Sequence, residues 1–88
     1  MRSLIFESDA QEDLFHWAKV DLKILRKIID LLQDTQSHPF SGKGKPEPLK
    51  HDLKGFWSKR INEEHRMIYQ VTDNEIIVIQ CRFHYKDK

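Results

Sequence analysis

Apolar residues recur along this chain with two different periods. Between residues 10 and 36 they return every three or four positions, the spacing that lines one face of a helix. From residue 56 onward they alternate with polar residues, which is typical of half-buried strands. The change of period predicts helices in the first part of the chain and strands in the second.

The first part predicts one strand followed by two helices. A short apolar run over residues 2–6 indicates the strand. Ser8, with a glutamine three residues on, has the spacing of a capping box and predicts the first helix start. Asp21 has the character of a second N-cap, and its helix is expected to reach about Gln36, before Pro39. The positions expected to face the core are Ala10, Leu14, Trp17, Ala18, Ile24, Leu25, Ile28, Ile29, Leu31 and Leu32.

The second part predicts three strands, over residues 56–62, 66–72 and 75–85. An Asp-Asn pair between the last two is a tight-turn signal, and connections this short make the three strands an antiparallel meander. The continuous apolar run over residues 76–79 indicates a central strand that is buried on both faces.

The 88 residues predict one small α+β domain, an antiparallel sheet with two N-terminal helices packed on one face. Charged residues make up 33% and hydrophobic residues 39%, which favours a folded domain over a disordered tail. No apolar run approaches the ~20 residues that span a bilayer, and no secretory signal is recognised. Since the only cysteine, Cys81, cannot form an internal disulfide, the expected location is cytoplasmic, without membrane contact.

A loop between the two parts holds all three prolines and two of the three glycines, between Pro39 and Pro48. Such a segment is neither regular helix nor central strand, because proline lacks the amide donor and fixes φ. Glu47 lies between Pro46 and Pro48, which hold its backbone extended. Stiff loops often carry function, whereas the plainer interpretation is a solvated basic linker.

The net charge of +1 conceals an uneven distribution. Residues 43–66 carry seven basic and four acidic side chains, whereas residues 1–42 carry five basic and seven acidic ones and residues 67–88 carry three of each. Concentrated positive charge is the footprint expected of contact with a polyanion. A solvated lysine face is the commoner explanation of any single cluster.

Several kinds of catalytic site lack their sequence signature. The five histidines show no paired ligand spacing, which argues against a metal site. Cys81 lies in an apolar strand, where a lone cysteine is usually a core residue. The glycines around Lys43 lack the following helix and Lys-Ser/Thr pair of a phosphate-binding loop. What remains is a general acid/base set.

The candidates for acid/base chemistry are Glu47, Arg66 and His84. Pairing the last two strands with residue 72 opposite residue 75 brings Arg66 within a residue or two of His84. Arg60 approaches through a short turn, and arginines beside a carboxylate and a histidine suit a phosphate substrate. Each of these residues also has a simpler explanation. Arg66 could be a charge at the sheet edge, Glu47 could pair with a nearby lysine, and His84 could lie at a frayed chain end.

Four segments of the chain carry a family resemblance. They are Phe40-Ser41-Gly42-Lys43-Gly44-Lys45-Pro46-Glu47-Pro48-Leu49-Lys50-His51, Gly55-Phe56-Trp57-Ser58-Lys59-Arg60-Ile61, Glu63-Glu64-His65-Arg66 and Cys81-Arg82-Phe83-His84-Tyr85. The chain resembles the YoeB (Txe) toxins of bacterial toxin–antitoxin systems, which belong to the RelE-like superfamily. The resemblance implies a RelE-like fold and a ribosome-dependent endoribonuclease that cuts mRNA in the decoding site. It also implies inhibition by a YefM-like antitoxin, and no metal or cofactor.

The resemblance also implies roles for single residues. Glu47 matches the general base of the family, Arg66 the phosphate-stabilising arginine and His84 the general acid, and Tyr85 matches a terminal tyrosine beside the site. Basic candidates for holding RNA are Lys45, Lys50 and Arg60, of which the last two match the family. The chain departs from the usual ending by three further residues, 86–88.

Two other functions stay open at this point. A toxin of the same fold could inhibit DNA gyrase by binding, as ParE-like relatives do, although those lack the set formed by Glu47, Arg66, His84 and Tyr85. A non-enzymatic RNA- or ribosome-binding module would use the basic loop for affinity only. The sequence leaves open the codon preference, the identity of the antitoxin and whether a homodimer forms.

Overall fold

The computed structural model describes residues 1–84 and shows a five-stranded sheet with two helices on one face. The strand order is β1-β5-β4-β3-β2. The elements are β1 (Ser3–Phe6), α1 (Ser8–Val20), α2 (Leu22–Ser37), β2 (Glu47–Pro48), a short 3₁₀ turn (His51–Leu53), β3 (Phe56–Arg60), β4 (Arg66–Val71) and β5 (Glu75–Gln80). The predicted α+β class is confirmed. Within residues 1–84 no helix is both long and apolar enough to cross a bilayer.

The predicted meander is confirmed, and two strands are added to it. β3, β4 and β5 pair antiparallel, and the Thr72 amide donates to the Glu75 carbonyl at the turn, 2.9 Å apart. The sheet is not antiparallel throughout, because β1 pairs parallel with β5 and makes it mixed. β2 pairs antiparallel with β3 at the opposite edge, which is an allowed place for a proline.

The position of β5 inside the sheet confirms the predicted central strand, but its two faces are covered unequally. Ile76 and Val78 are buried, whereas Ile77 and Ile79 are only half-buried. Both helices lie on the face of Ile76 and Val78, so the other face of β5 is left partly open.

The N-cap predicted for α2 is confirmed, whereas the N-cap predicted for α1 is wrong. Asp21 caps α2 as predicted, because its Oδ1 accepts from the amides of Lys23 (3.1 Å) and Ile24 (3.3 Å). The predicted Ser8 cap is wrong by one residue, since Glu7 occupies the N-cap position without a side-chain cap. The Glu7 amide donates to the Val78 carbonyl at 3.0 Å, so the chain leaves β1 directly into the helix.

The core lies between the helices and the sheet. Its buried members are Ala10, Trp17, Ile28, Leu31, Leu32, Ile61, Met67, Tyr69, Ile76, Val78 and Cys81. Leu14, Ile24 and Leu25 pack against it, whereas Ala18 and Ile29, also predicted to face inward, are exposed. The buried apolar stripe of α2 is therefore narrower than the sequence predicts.

The last strand ends earlier than predicted. β5 stops at Gln80 rather than continuing to residue 85, after an irregularity in its pairing beside Ile68 and Tyr69. β3 likewise stops at Arg60 rather than at residue 62. Residues 81–84 follow β5 without regular structure, and we call them the terminal segment.

A buried ion pair fastens the loop to α2. The Lys59 ammonium, fully buried, lies 3.3 Å from Asp34 Oδ2 and 3.1 Å from the His38 carbonyl. The same Oδ2 accepts from the Lys43 amide at 2.9 Å. Burial lowers the pKa of Lys59, and the Lys43 amide contributes most to lowering the pKa of Asp34. Lys59 is thus held charged inside the protein by one carboxylate.

Replacing Asp34 by alanine is expected to destabilise the fold by about 3 kcal/mol, the usual cost of leaving a buried charge without its partner. The Lys59 ammonium would keep only the His38 carbonyl, and the Lys43 amide would lose its acceptor. Urea denaturation of the wild type and the variant measures the change. Lys59→Met is the matched control, and it should cost less, because Asp34 is partly exposed and keeps its contacts with Lys43 and His38. Equal losses would contradict this explanation.

Candidate active site

The strand register places three of the predicted site residues on one face of the sheet. Glu47 pairs with Ser58, Ser58 pairs with Ile68, and Arg60 pairs with Arg66. Directly paired residues share a face, as do residues two apart on one strand. Glu47, Arg60 and Arg66 therefore lie together on the face opposite the helices.

The same register fixes how far apart these residues lie. Glu47 and Arg66 are two strands apart and offset by two residues, so their Cα atoms are separated by about 12 Å from ordinary strand spacing. A gap of that size leaves room for a phosphodiester between the two residues. This arrangement suits a substrate-filled site rather than a direct ion pair.

The two arginines form a concentrated positive site. Arg60 and Arg66 are directly opposite each other on neighbouring strands, where like charges repel. Within residues 1–84 neither guanidinium lies within salt-bridge distance of a carboxylate. An anion between them would relieve the repulsion, and a phosphate matches guanidinium geometry.

The turn before β4 orients Arg66. Its Nη1 donates to the carbonyls of Asn62 (2.7 Å), His65 (3.1 Å) and Glu63 (3.4 Å). The Asn62 side chain accepts from the amides of Glu64 and His65 and closes this turn. Because all three bonds use one nitrogen of a group with five N–H donors, other donors of Arg66 stay available for a substrate.

Glu47 is exposed on the short edge strand, and Gly44 fixes the loop that leads to it. The Arg60 amide donates to the Gly44 carbonyl at 2.6 Å. A Cβ on Gly44 would lie 2.9 Å from side-chain atoms of both Leu31 and Lys59, and its φ is +85°. Only glycine fits there without displacing the core, so the approach of the loop depends on this residue.

The basic candidates for substrate binding are not all brought together. Lys45 and Arg60 both line a groove of about 560 Å³ beside α2. Its walls are Lys27, Asp30, Leu31, Lys43, Gly44, Lys45, Arg60, Ile61, Asn62 and Glu63. Lys50 lies beyond Leu49, on the side of Glu47 away from Arg60 and Arg66. The structure therefore separates Lys50 from the arginine pair.

α1 fastens the start of the terminal segment. The Cys81 amide donates to Asp13 Oδ2 at 2.8 Å, and the Trp17 indole donates to the Cys81 carbonyl at 2.9 Å. Burial raises the pKa of Asp13 despite the first bond, and it raises the pKa of the Cys81 thiol to about 12. A thiol that stays protonated is a poor nucleophile, in agreement with a structural role for Cys81.

His84 directly follows the residue that contacts Arg66, although the predicted strand pairing is absent there because β5 ends at Gln80. The Arg66 amide donates to the Phe83 carbonyl at 3.0 Å, so the residue next to His84 is alongside Arg66. His84 is exposed, and it borders a groove of about 320 Å³ whose walls are Asp9, Glu12 and Asp13 of α1 together with Gln80, Arg82 and Phe83. Tyr85, the fourth predicted catalytic residue, lies outside the described residues.

Sequence reasoning missed His65. Its side chain is almost fully buried next to Arg66, and it contacts the terminal segment through a hydrogen bond from Phe83. The alternation that turns Met67 inward also turns residue 65 inward, so the signal was present in the sequence.

Among residues 1–84 no group of three or more potential ligands is placed to hold a metal ion.

Comparison with known proteins places the chain in a family. A family model described as "YoeB-like toxin of bacterial type II toxin-antitoxin system" matches residues 6–85. Toxin YoeB of Escherichia coli K12 is 51% identical over 82 residues, which are 93% of this chain and 98% of that protein. The chain belongs to the YoeB family of bacterial toxins.

Solved structures of YoeB proteins share the fold. The YoeB/ParE toxin from Agrobacterium tumefaciens is 44% identical with a TM-score of 0.91, covering 94% of this chain and 99% of that one. A YoeB dimer from Staphylococcus aureus is 40% identical with a TM-score of 0.88, covering 96% and 98%. A heterotetrameric YoeB–YefM toxin–antitoxin complex from the same organism is 40% identical with a TM-score of 0.87, covering 97% and 99%. The predicted RelE-like fold and YoeB resemblance are confirmed.

Proposed function

We propose that this toxin is an endoribonuclease that cleaves mRNA on the ribosome and so inhibits translation. The observation that carries the proposal is the shared sheet face of Glu47, Arg60 and Arg66, together with the hydrogen bond from the Arg66 amide to Phe83, the residue before His84. A carboxylate, two guanidiniums without a carboxylate partner among residues 1–84 and an imidazole are groups that suit phosphodiester cleavage by acid/base chemistry.

In the proposed reaction RNA supplies its own nucleophile. The Glu47 carboxylate takes the proton of the 2′-hydroxyl, and the 2′-oxygen forms a bond to the adjacent phosphorus. The bond from phosphorus to the 5′-oxygen breaks, and protonated His84 donates its proton to that leaving oxygen. The products are a 2′,3′-cyclic phosphate and a 5′-hydroxyl. Arg66 stabilises the negative charge that grows on the phosphoryl oxygens, and neither a metal nor a cofactor takes part.

The remaining predicted residues bind and orient RNA in this proposal. Arg60, opposite Arg66, and Lys45, at the groove beside it, contact phosphates. Lys50 contacts the backbone further along, on the other side of Glu47. A base stacks on Tyr85, because aromatic rings hold unstacked RNA bases. Phosphate contacts position the RNA strand but do not read its bases, so in this proposal they do not set the codon preference.

We also propose a YefM-like antitoxin as the partner, in the cytoplasm. The YoeB–YefM complex of Staphylococcus aureus supports this, since that relative shares 40% of its sequence with this chain. A segment with acidic and apolar side chains would fold onto the positive groove formed by Lys43, Lys45 and Arg60. The YoeB dimer of the same organism leaves a homodimer as an alternative assembly.

The double variant Glu47→Gln, His84→Gln tests catalysis against mere binding. Expression of the wild type without antitoxin should arrest growth, and the double variant should not, because both proton transfers are removed while the charge of the basic groove is kept. Colony counts after induction measure this, with circular dichroism to confirm folding and equal protein levels. A folded double variant that still arrests growth would show a toxin that acts by binding alone.

A further inference from the structure

His65 and Arg66 hold Phe83 through both of its backbone groups. The Phe83 amide donates to His65 Nδ1 at 2.7 Å, and the Arg66 amide donates to the Phe83 carbonyl at 3.0 Å. The rings of His65 and Phe83 also pack with centroids 5.5 Å apart. His65, in the turn before β4, and Arg66, the first residue of β4, thus fix the residue that precedes His84.

The backbone of Phe83 needs such a hold. Its φ is +62°, in the left-handed region that bulky side chains rarely adopt. This conformation persists only where the surroundings determine it. The His65 ring is itself fixed, at 6% exposure, by edge-on packing against Trp17 with centroids 4.8 Å apart. The direction in which the chain turns toward His84 therefore depends on the His65 ring, together with Gln80, whose Nε2 donates to the carbonyls of Arg82 (2.9 Å) and His84 (3.3 Å).

We propose that His65 is a positioning residue, which sets the location of His84 by accepting the Phe83 amide at Nδ1. The proposal rests on the proposed function, in which His84 is the general acid. His65 does not touch the substrate. Its contribution is to keep residues 81–84 in one conformation, so that His84 meets the leaving oxygen without first being ordered.

The hydrogen bond requires one protonation state of the ring. Nδ1 can accept only when the imidazole is neutral with its proton on Nε2, and Nε2 lies 3.7 Å from the Glu64 carboxylate. The charged or titratable groups around the ring are His16 on α1, Glu64 in the turn, and Arg82 and His84 in the terminal segment. Burial lowers the pKa of His65, Arg82, His16 and His84 lower it further, and Glu64 raises it.

The lowered pKa of His65 determines how the stability of the fold changes with pH. A histidine whose pKa is lowered by folding is protonated more readily in the unfolded chain, so its contribution to stability is lost as the pH falls below about 6.5. Once protonated, Nδ1 is a donor facing the Phe83 donor, and the bond breaks. Acidification should therefore release the terminal segment before it unfolds the sheet.

Two substitutions separate the acceptor from the rest of the side chain. In His65→Asn the amide oxygen can take the place of Nδ1, whereas in His65→Gln the amide lies one bond further out and the acceptor is lost. Hydrogen exchange at the Phe83 amide should be about tenfold faster in the glutamine variant than in the asparagine variant, the effect of one hydrogen bond. On mRNA-programmed ribosomes, kcat should be about tenfold lower for glutamine than for asparagine, with KM unchanged. Equal exchange rates and equal kcat values would overturn the proposal.

A second measurement uses the wild type and so does not depend on how the variants fold. Between pH 7.5 and 5.0, protection of the Phe83 amide, corrected for intrinsic exchange, should fall relative to that of the Tyr69 amide on β4. A parallel fall at both amides would overturn the role of His65. A wild type that cleaves no RNA would overturn the nuclease proposal alone, and the two exchange comparisons would still decide whether His65 holds the segment.

Discussion

An mRNA that carries a single 2′-deoxy nucleotide at the scissile position is expected to bind normally and to remain uncut. The substitution removes the oxygen that attacks phosphorus in the proposed reaction and leaves every phosphate in place. Because phosphate contacts dominate the affinity of proteins for nucleic acids, contacts from Arg60 and Arg66 should persist. Gel analysis of mRNA bound to programmed ribosomes, before and after addition of toxin, measures the cut.

The control for this experiment places the deoxy nucleotide one position downstream of the scissile bond. That mRNA should be cleaved as fast as the unmodified one, and its upstream fragment should end in a 2′,3′-cyclic phosphate. Attack by water would instead cut both deoxy substrates and leave a simple phosphate monoester. Cleavage of the deoxy nucleotide in the scissile position would exclude the proposed nucleophile, while membership in the YoeB family would stand.

Glu47→Gln is expected to lower the cleavage rate by about 10²-fold or more, the usual contribution of a general base. The glutamine amide has the same shape but cannot take a proton from the 2′-hydroxyl. Glu47 is exposed, and its side chain makes no described hydrogen bond or salt bridge within residues 1–84. The melting temperature should therefore change little. Single-turnover cleavage on programmed ribosomes and a thermal melt test the two statements.

Asp52→Asn is the matched control for Glu47→Gln. Asp52 is an exposed carboxylate five residues after Glu47, in the 3₁₀ turn that follows β2. Its neutralisation changes the charge of the loop by the same amount but removes no proposed catalytic group. The control should cleave at nearly the wild-type rate. A similar loss in both variants would trace the effect to loop charge, and Glu47 would not be the base.

Local patterns in the sequence were sufficient to bring Arg66 and His84 close together. The alternation of Met67 and Tyr69 with Arg66 set the faces of β4, and the tight turn before residue 75 set its pairing with β5. Both signals are short-range, because a strand period and a two-residue turn need no knowledge of the rest of the chain. The predicted partners of Arg66 were residues 81–82, and the structure puts Phe83 there instead, after an irregularity in the pairing at Ile68 and Tyr69.

Features that depend on contacts between distant parts of the chain were not predictable in this way. The pairing of β1 with β5 joins the two extremes of the described chain. Lys59 follows the inward alternation of its strand, but only the fold reveals that Asp34 on α2 neutralises it. The conformation of Phe83 likewise depends on His65 and Trp17, which are far apart in sequence. Long-range packing decides all three features.

The parallel pairing of β1 with β5 has a consequence for the order of events during synthesis. β1 is made before the other elements, whereas β5, its strand partner within residues 1–84, begins at residue 75 of 88, so the sheet stays incomplete on the nascent polypeptide. Contacts of such high sequence separation form late and slowly. The groups that hold residues 81–84 come from α1, from the turn before β4, from β4 and from β5, and all of them precede that segment in the chain. The complete sheet therefore forms only after residues 75–80 have emerged from the ribosome.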